Sequence, residues 1–112
     1  MSRDPLKYVW DAREAGDAAV GFIGNASKQD FLSNDLLQAG VERKLEVLGE
    51  ALGKLRQFHP EVAEQIPGLA KAVGMRNVLA HEYGSVNSIL VWDTITLHLP
   101  ALLASLRELE ES

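Results

Sequence analysis

Leu37, Val41, Leu45, Leu48, Leu52 and Leu55 recur at steps of four, four, three, four and three, and so draw one apolar stripe along a helix that begins at Asn34. Glu42, Glu46 and Glu50 fall on a second face at four-residue steps, while Gly49 and Gly53 share a face on which a neighbouring backbone can come close. A glycine inside a helix costs roughly 1 kcal/mol relative to alanine, so two of them predict tight packing. His59-Pro60 ends this helix, because the residue before a proline is pushed out of helical dihedrals.

Ahead of it, Tyr8, Ala12, Ala15, Ala19 and Phe22 follow at steps of four, three, four and three, with Val9 and Ile23 widening the stripe. Asp4 as N-cap and Pro5 as first helical residue predict a helix over residues 4–24, ended by Gly24-Asn25. Asp30-Phe31-Leu32 with Ser33-Asn34-Asp35 makes a short helical turn and a second start signal. Residues 60–66 form a short helix, Ile66-Pro67-Gly68 is a break, and a helix over 68–82 follows, closed by Gly84 in the left-handed region. Val86, Ile89, Leu90, Trp92, Ile95, Leu99, Leu102, Leu103, Leu106 and Leu109 give a last helix over 86–109, with a kink at Pro100. No segment alternates with a period of two and no repeat is visible. The expected fold is all-α, an antiparallel four- to five-helix bundle of up-down topology in one domain over residues 1–112.

Composition narrows the function classes. At 112 residues and 46% hydrophobic content the chain supports one core. It has no cysteine, which removes disulfides and thiolate metal sites and points to a reducing compartment. A charged N-terminus broken by Pro5, and no apparent run of eighteen apolar residues, predict a cytoplasmic protein with no membrane partner. The net charge of −5 argues against indiscriminate nucleic-acid binding, yet Arg43, Lys44, Lys54, Arg56, Lys71 and Arg76 cluster in the middle third and leave room for a local basic surface. His59 and His98 form no convincing metal set with nearby carboxylates, so no metal or cofactor is expected, and Trp10 and Trp92 suit a core or a dimer interface.

The chemistry concentrates between Gly74 and Val86, where Arg76, Asn77, His81 and Tyr83 fall within eight residues. On a helix Asn77 and His81 share a face, and His81 sits near the negative end of the helix dipole, which favours its protonated form. A histidine that exchanges a proton beside a permanently charged guanidinium suits phosphodiester cleavage in RNA without a metal. One histidine does not readily serve as both acid and base, so a twofold dimer that sets two motifs across a cleft would complete the site. Arg76 could pair with Glu46 or Glu50 of the neighbouring helix, which would hold the guanidinium in place.

The motif Arg-x-x-x-x-His-x-Tyr, here Arg76 to Tyr83, resembles the signature of the HEPN superfamily, in particular the HepT-like toxins paired with minimal nucleotidyltransferase antitoxins of the MntA type. Val47-Leu48-Gly49-Glu50-Ala51 is similar to that family's Gly-Glu-Ala helix, Gly74-Met75-Arg76-Asn77 leads into the motif, and Val91-Trp92 with Leu99-Pro100 resembles its last helix. One departure is visible: many relatives carry Pro-Trp ahead of the motif helix, where this chain has Pro67-Gly68. The resemblance implies a homodimeric helical bundle with metal-independent RNA endonuclease activity, Arg76 and His81 in the catalytic positions, Asn77 as a polar helper, and Tyr83 as the residue to which the partner attaches AMP. The alternative from another class is a non-catalytic helical partner of a minimal nucleotidyltransferase.

Overall fold

A computed structural model of the chain describes residues 3–81 and 87–112, apart from the side chains of Ala80 and His81. Helix α1 (Pro5–Ile23) starts where the Asp4 carboxylate accepts from the Leu6 N–H at 2.8 Å and Pro5 brings no N–H to satisfy. A capping box between Ser27 and Asp30 opens α2 (Lys28–Leu32), and the Asn34 side chain, accepting from the Leu37 N–H at 3.0 Å, opens α3 (Asp35–Phe58). His59 closes α3, and Pro60 begins the single turn of α4 (Pro60–Ala63), which stops short of the predicted residue 66. Helix α5 (Leu69–His81) carries the motif. Helix α6 (Ser88–Asp93), capped by Asn87, runs through a π turn (Thr94–His98) into α7 (Leu99–Glu111). The described residues are helical throughout apart from turns, with no strand among them, so the fold class is all-α.

The disturbance expected at Pro100 appears one turn earlier, as a widening. Proline offers no N–H and its ring crowds the carbonyl four residues back, so the Leu99 N–H reaches the Thr94 carbonyl five residues back instead. The Thr94 and Thr96 hydroxyls donate to the carbonyls of Leu90 and Trp92 at 2.8 and 2.9 Å, which keeps their polar atoms satisfied within the helix.

Helix α3 is the axle of the molecule. Helices α1 and α5 pack on it, and α7 packs on α1. Val41, Leu45, Leu48, Leu52 and Leu55 are all buried, as the stripe requires, against Val9, Ala12, Ala19, Phe31, Val91 and Leu106. In α1 the stripe departs from expectation at its end: Phe22 is exposed and lies over Gly40, while Ile23 takes the inward position. Four-three spacing drifts around a 3.6-residue helix, so the last member of a long stripe swings out. Charge ties α1 to α7, since Arg13 reaches both carboxylate oxygens of Glu110 at 2.7 and 3.2 Å and Arg107 pairs with Asp17.

The expectation that no segment is apolar enough to cross a membrane needs correction. The continuous helical run Ser88–Glu111 is 24 residues long with a mean hydropathy of 1.6 in its most apolar window, enough by length and composition. Its apolar residues lie on more than one face. Val91, Ile95, Leu99, Leu102, Leu103 and Leu106 build the core, while Ile89, Leu90 and Leu97 stay exposed.

Candidate active site

Helix α5 lies on α3 with Leu69, Val73 and Met75 buried. Their contact is close at one point. A Cβ added to Gly49 would fall 2.2 Å from the Cβ of Arg76 and 2.9 Å from the Ala72 carbonyl oxygen, distances that no real atom pair accepts. Only glycine lets α5 sink this far, and the root of the Arg76 side chain is thereby pressed onto the α3 backbone. Gly53, expected to do the same, has open space where a Cβ would point. Before α5, Gly68 adopts φ +88, a conformation that favours glycine over any residue with a Cβ. This gives a physical reason for the departure at Pro67-Gly68, because a tryptophan would be strained in that turn.

With its stem fixed, the half-buried Arg76 donates from Nη1 to the Asn77 Oδ1 at 3.2 Å, and Asn77 is exposed. His81 is the last residue of α5, five positions beyond Arg76, or about 7.5 Å along the axis at 1.5 Å per residue. The His81 ring, Tyr83 and the predicted Gly84 cap lie outside the described residues.

The carboxylates Glu46 and Glu50 do not take the role expected of them. Glu46 lies 3.9 Å from Arg43 and Glu50 lies 3.6 Å from Lys54, and among the described residues no carboxylate reaches Arg76 within ion-pair distance. The reason is geometric: α3 presents Gly49 to Arg76, while Glu50 is turned about 100° away and Glu46 about 60° to the other side and about 4.5 Å along the axis. Glu42 is half-buried instead, and burial, with the Glu46 charge beside it, pushes its carboxyl above the usual range. Because Arg56 stands by Gly68 and Gly49 by Arg76, the two helices run in opposite directions. Glu42 and Glu46 consequently lie toward the end of α5 that carries His81.

Sequence spacing missed one pairing altogether. The Lys71 Nζ stands 3.0 Å from the His98 Nε2, although the residues are 27 apart and on different helices. No periodicity links them, since the contact depends on how α5 and the π turn face each other. Among the described residues no group of three His, Asp or Glu side chains converges as a metal-ligand set.

These features define a small all-helical protein that carries an arginine, an asparagine and a histidine along one helix. The pattern of the ribonuclease HepT-like family matches residues 13–109, and the chain belongs to that family. A protein of Methanocaldococcus jannaschii named provisionally as an RNase is 32% identical over 100 residues, covering 89% of this chain and 82% of its own. Another provisionally named RNase, from Caldanaerobacter subterraneus subsp. tengcongensis, is 28% identical over 107 residues, covering 96% of this chain and 95% of its own. A protein of Thermococcus cleftensis named as a probable ribonuclease HepT is 28% identical, covering 99% of this chain and all of its own. No solved structure matches the chain with significance.

Proposed function

We propose that the protein is the toxin of a HepT/MntA-like, type VII-like toxin–antitoxin pair and cleaves RNA internally without a metal ion. The observation that carries this reading is the Gly49–Arg76 contact, which fixes the guanidinium stem on the helix that ends in His81, in a chain of the ribonuclease HepT-like family. In the proposed step the ribose 2′-oxygen attacks the adjacent phosphorus, the bond to the 5′-oxygen breaks, and a 2′,3′-cyclic phosphate and a 5′-hydroxyl result. One His81 takes the 2′-hydroxyl proton and a second gives a proton to the leaving oxygen, which calls for a homodimer with both motifs on one cleft. Arg76 neutralises charge on the phosphorane, and Asn77 steadies the guanidinium or holds a phosphate oxygen. Attachment of AMP to Tyr83 by the MntA-like partner would add bulk and negative charge two residues from His81, repelling RNA.

The experiment is cleavage of RNA by purified protein in EDTA. Wild type is expected to cut, and His81→Ala and Arg76→Ala to lose about 10²- to 10⁴-fold in rate, the usual worth of a general acid–base group. If wild type is inert in EDTA, or the variants cut as well as wild type, the catalytic assignment fails. Co-expression with the nucleotidyltransferase should add AMP-sized mass at Tyr83, and an unmodified Tyr83 would remove the regulatory part. The formal charge of −5 favours the second reading, a non-catalytic partner of the nucleotidyltransferase, which predicts an inert wild type that still binds that enzyme.

A further inference from the structure

Helix α5 leans on α3 and α7 leans on α1, which leaves the space between α5 and the last helix unfilled. A pocket of about 230 Å³ opens there, floored by Leu45 and Leu48 and walled by Ala72, Met75, Leu97 and Leu102. The π turn forms one rim and places the exposed Leu97 and His98 on it, facing Lys71. Such a distortion of an α-helix often marks a site of function.

The polar equipment of the pocket has one sign. Among the described residues none that lines it is acidic. The Thr94 hydroxyl is committed to the Leu90 carbonyl, so Lys71 and His98 are the side chains with hydrogen bonds to offer a guest. At 3.0 Å the Lys71 ammonium donates to the His98 Nε2, and that pair is half of an anion site. A carboxylate at this rim would accept from the Lys71 ammonium and, with the His98 proton on Nε2, from the ring N–H, exchanging one contact for two charge-assisted bonds. An apolar chamber with a few convergent polar groups at the rim is the general design of a small-molecule site. The volume admits a short aliphatic chain rather than a single water.

We propose that this pocket binds a small aliphatic carboxylate, with its chain against Leu45, Leu48 and Met75 and its carboxylate between Lys71 and His98. Ala72 and Met75 belong to the turn of α5 that leads into Arg76, so the guest would rest on the helix that carries the proposed chemistry, yet its binding does not depend on nuclease activity.

The test is a titration of the full ¹⁵N-labelled chain with octanoate, followed by amide shifts, with octanol and octylamine as matched probes. Saturable shifts centred on Lys71, Met75 and Leu97 are expected, with octanol and octylamine bound at least about tenfold more weakly. Lys71→Met, which keeps the apolar stem, should weaken octanoate about tenfold or more, the usual cost of a charge-assisted hydrogen bond. Met75→Trp should fill the chamber and abolish binding, and if that variant does not fold, Lys71→Met alone decides. Absence of saturable shifts, shifts centred elsewhere, equal binding of octylamine, or unchanged affinity in Lys71→Met would each overturn the site. Since RNA cleavage is not the readout, these failures are distinct from failure of the ribonuclease reading.

Discussion

Glu42 is a carboxylate that the fold holds half out of water, with Glu46 one turn away on the same face. Burial first, and that neighbouring charge second, favour its protonated form in the folded state. The sign follows directly. A raised folded pKa stabilises the native state fully below the unfolded value, and this contribution is lost as pH rises through the folded value. Glu42→Gln is therefore expected to raise Tm at pH 7, with the gain shrinking as pH falls toward about 4, where an unperturbed glutamate protonates. A pH-independent change in Tm measured by calorimetry would refute this account. At the same scale, the motif residues stood out in the sequence by type and spacing, whereas the actual neighbours of Arg76 did not. Helical periodicity shows which residues of one helix share a face, but not which of them meets a given residue on another. Glu46 and Glu50 were plausible partners on spacing alone, and rotation about the helix axis, about 100° for Glu50 and about 60° for Glu46, gave that place to Gly49.

Among the elements, the pair α3 and α5 decides where Arg76 stands. Gly49→Ala would drive a methyl into the Arg76 stem and the Ala72 carbonyl, so a loss of about 1–3 kcal/mol is expected, as for overpacking in general, together with reduced RNA cleavage. Gly53→Ala meets nothing and gains helix propensity, so it should stabilise by about 1 kcal/mol. Denaturant unfolding of both variants checks the contrast, and equal effects would remove the special status of Gly49. The two glycines share a face and were indistinguishable in the sequence, because the depth of helix contact is a tertiary property. The long stripe of α3, the N-caps at Asp4 and Asn34, and the stop at His59-Pro60 were all legible, since each rests on local chemistry. The π turn was legible only as a disturbance near Pro100, because proline dictates that the ladder breaks but not how the preceding turn absorbs the break.

At the scale of the whole molecule, the monomer leaves Ile89 and Leu90 uncovered on the run from Ser88 to Glu111, and one chain supplies only one copy of the motif. The proposed twofold dimer would answer both. Sedimentation is expected to give twice the chain mass, and because the proposed step takes a histidine from each chain, an excess of His81→Ala re-equilibrated with wild type should suppress cleavage well beyond dilution. If each chain worked independently, cleavage would instead follow the amount of wild-type chain.

The close approach at Gly49 also has a genetic meaning. Every other amino acid carries a Cβ, so position 49 admits no conservative replacement, and any missense change there disturbs the seat of Arg76 without touching the reacting groups. Under selection for escape from the proposed toxicity, suppressor alleles should therefore accumulate at this codon beside those of Arg76 and His81, marking a residue that no catalytic role would have singled out.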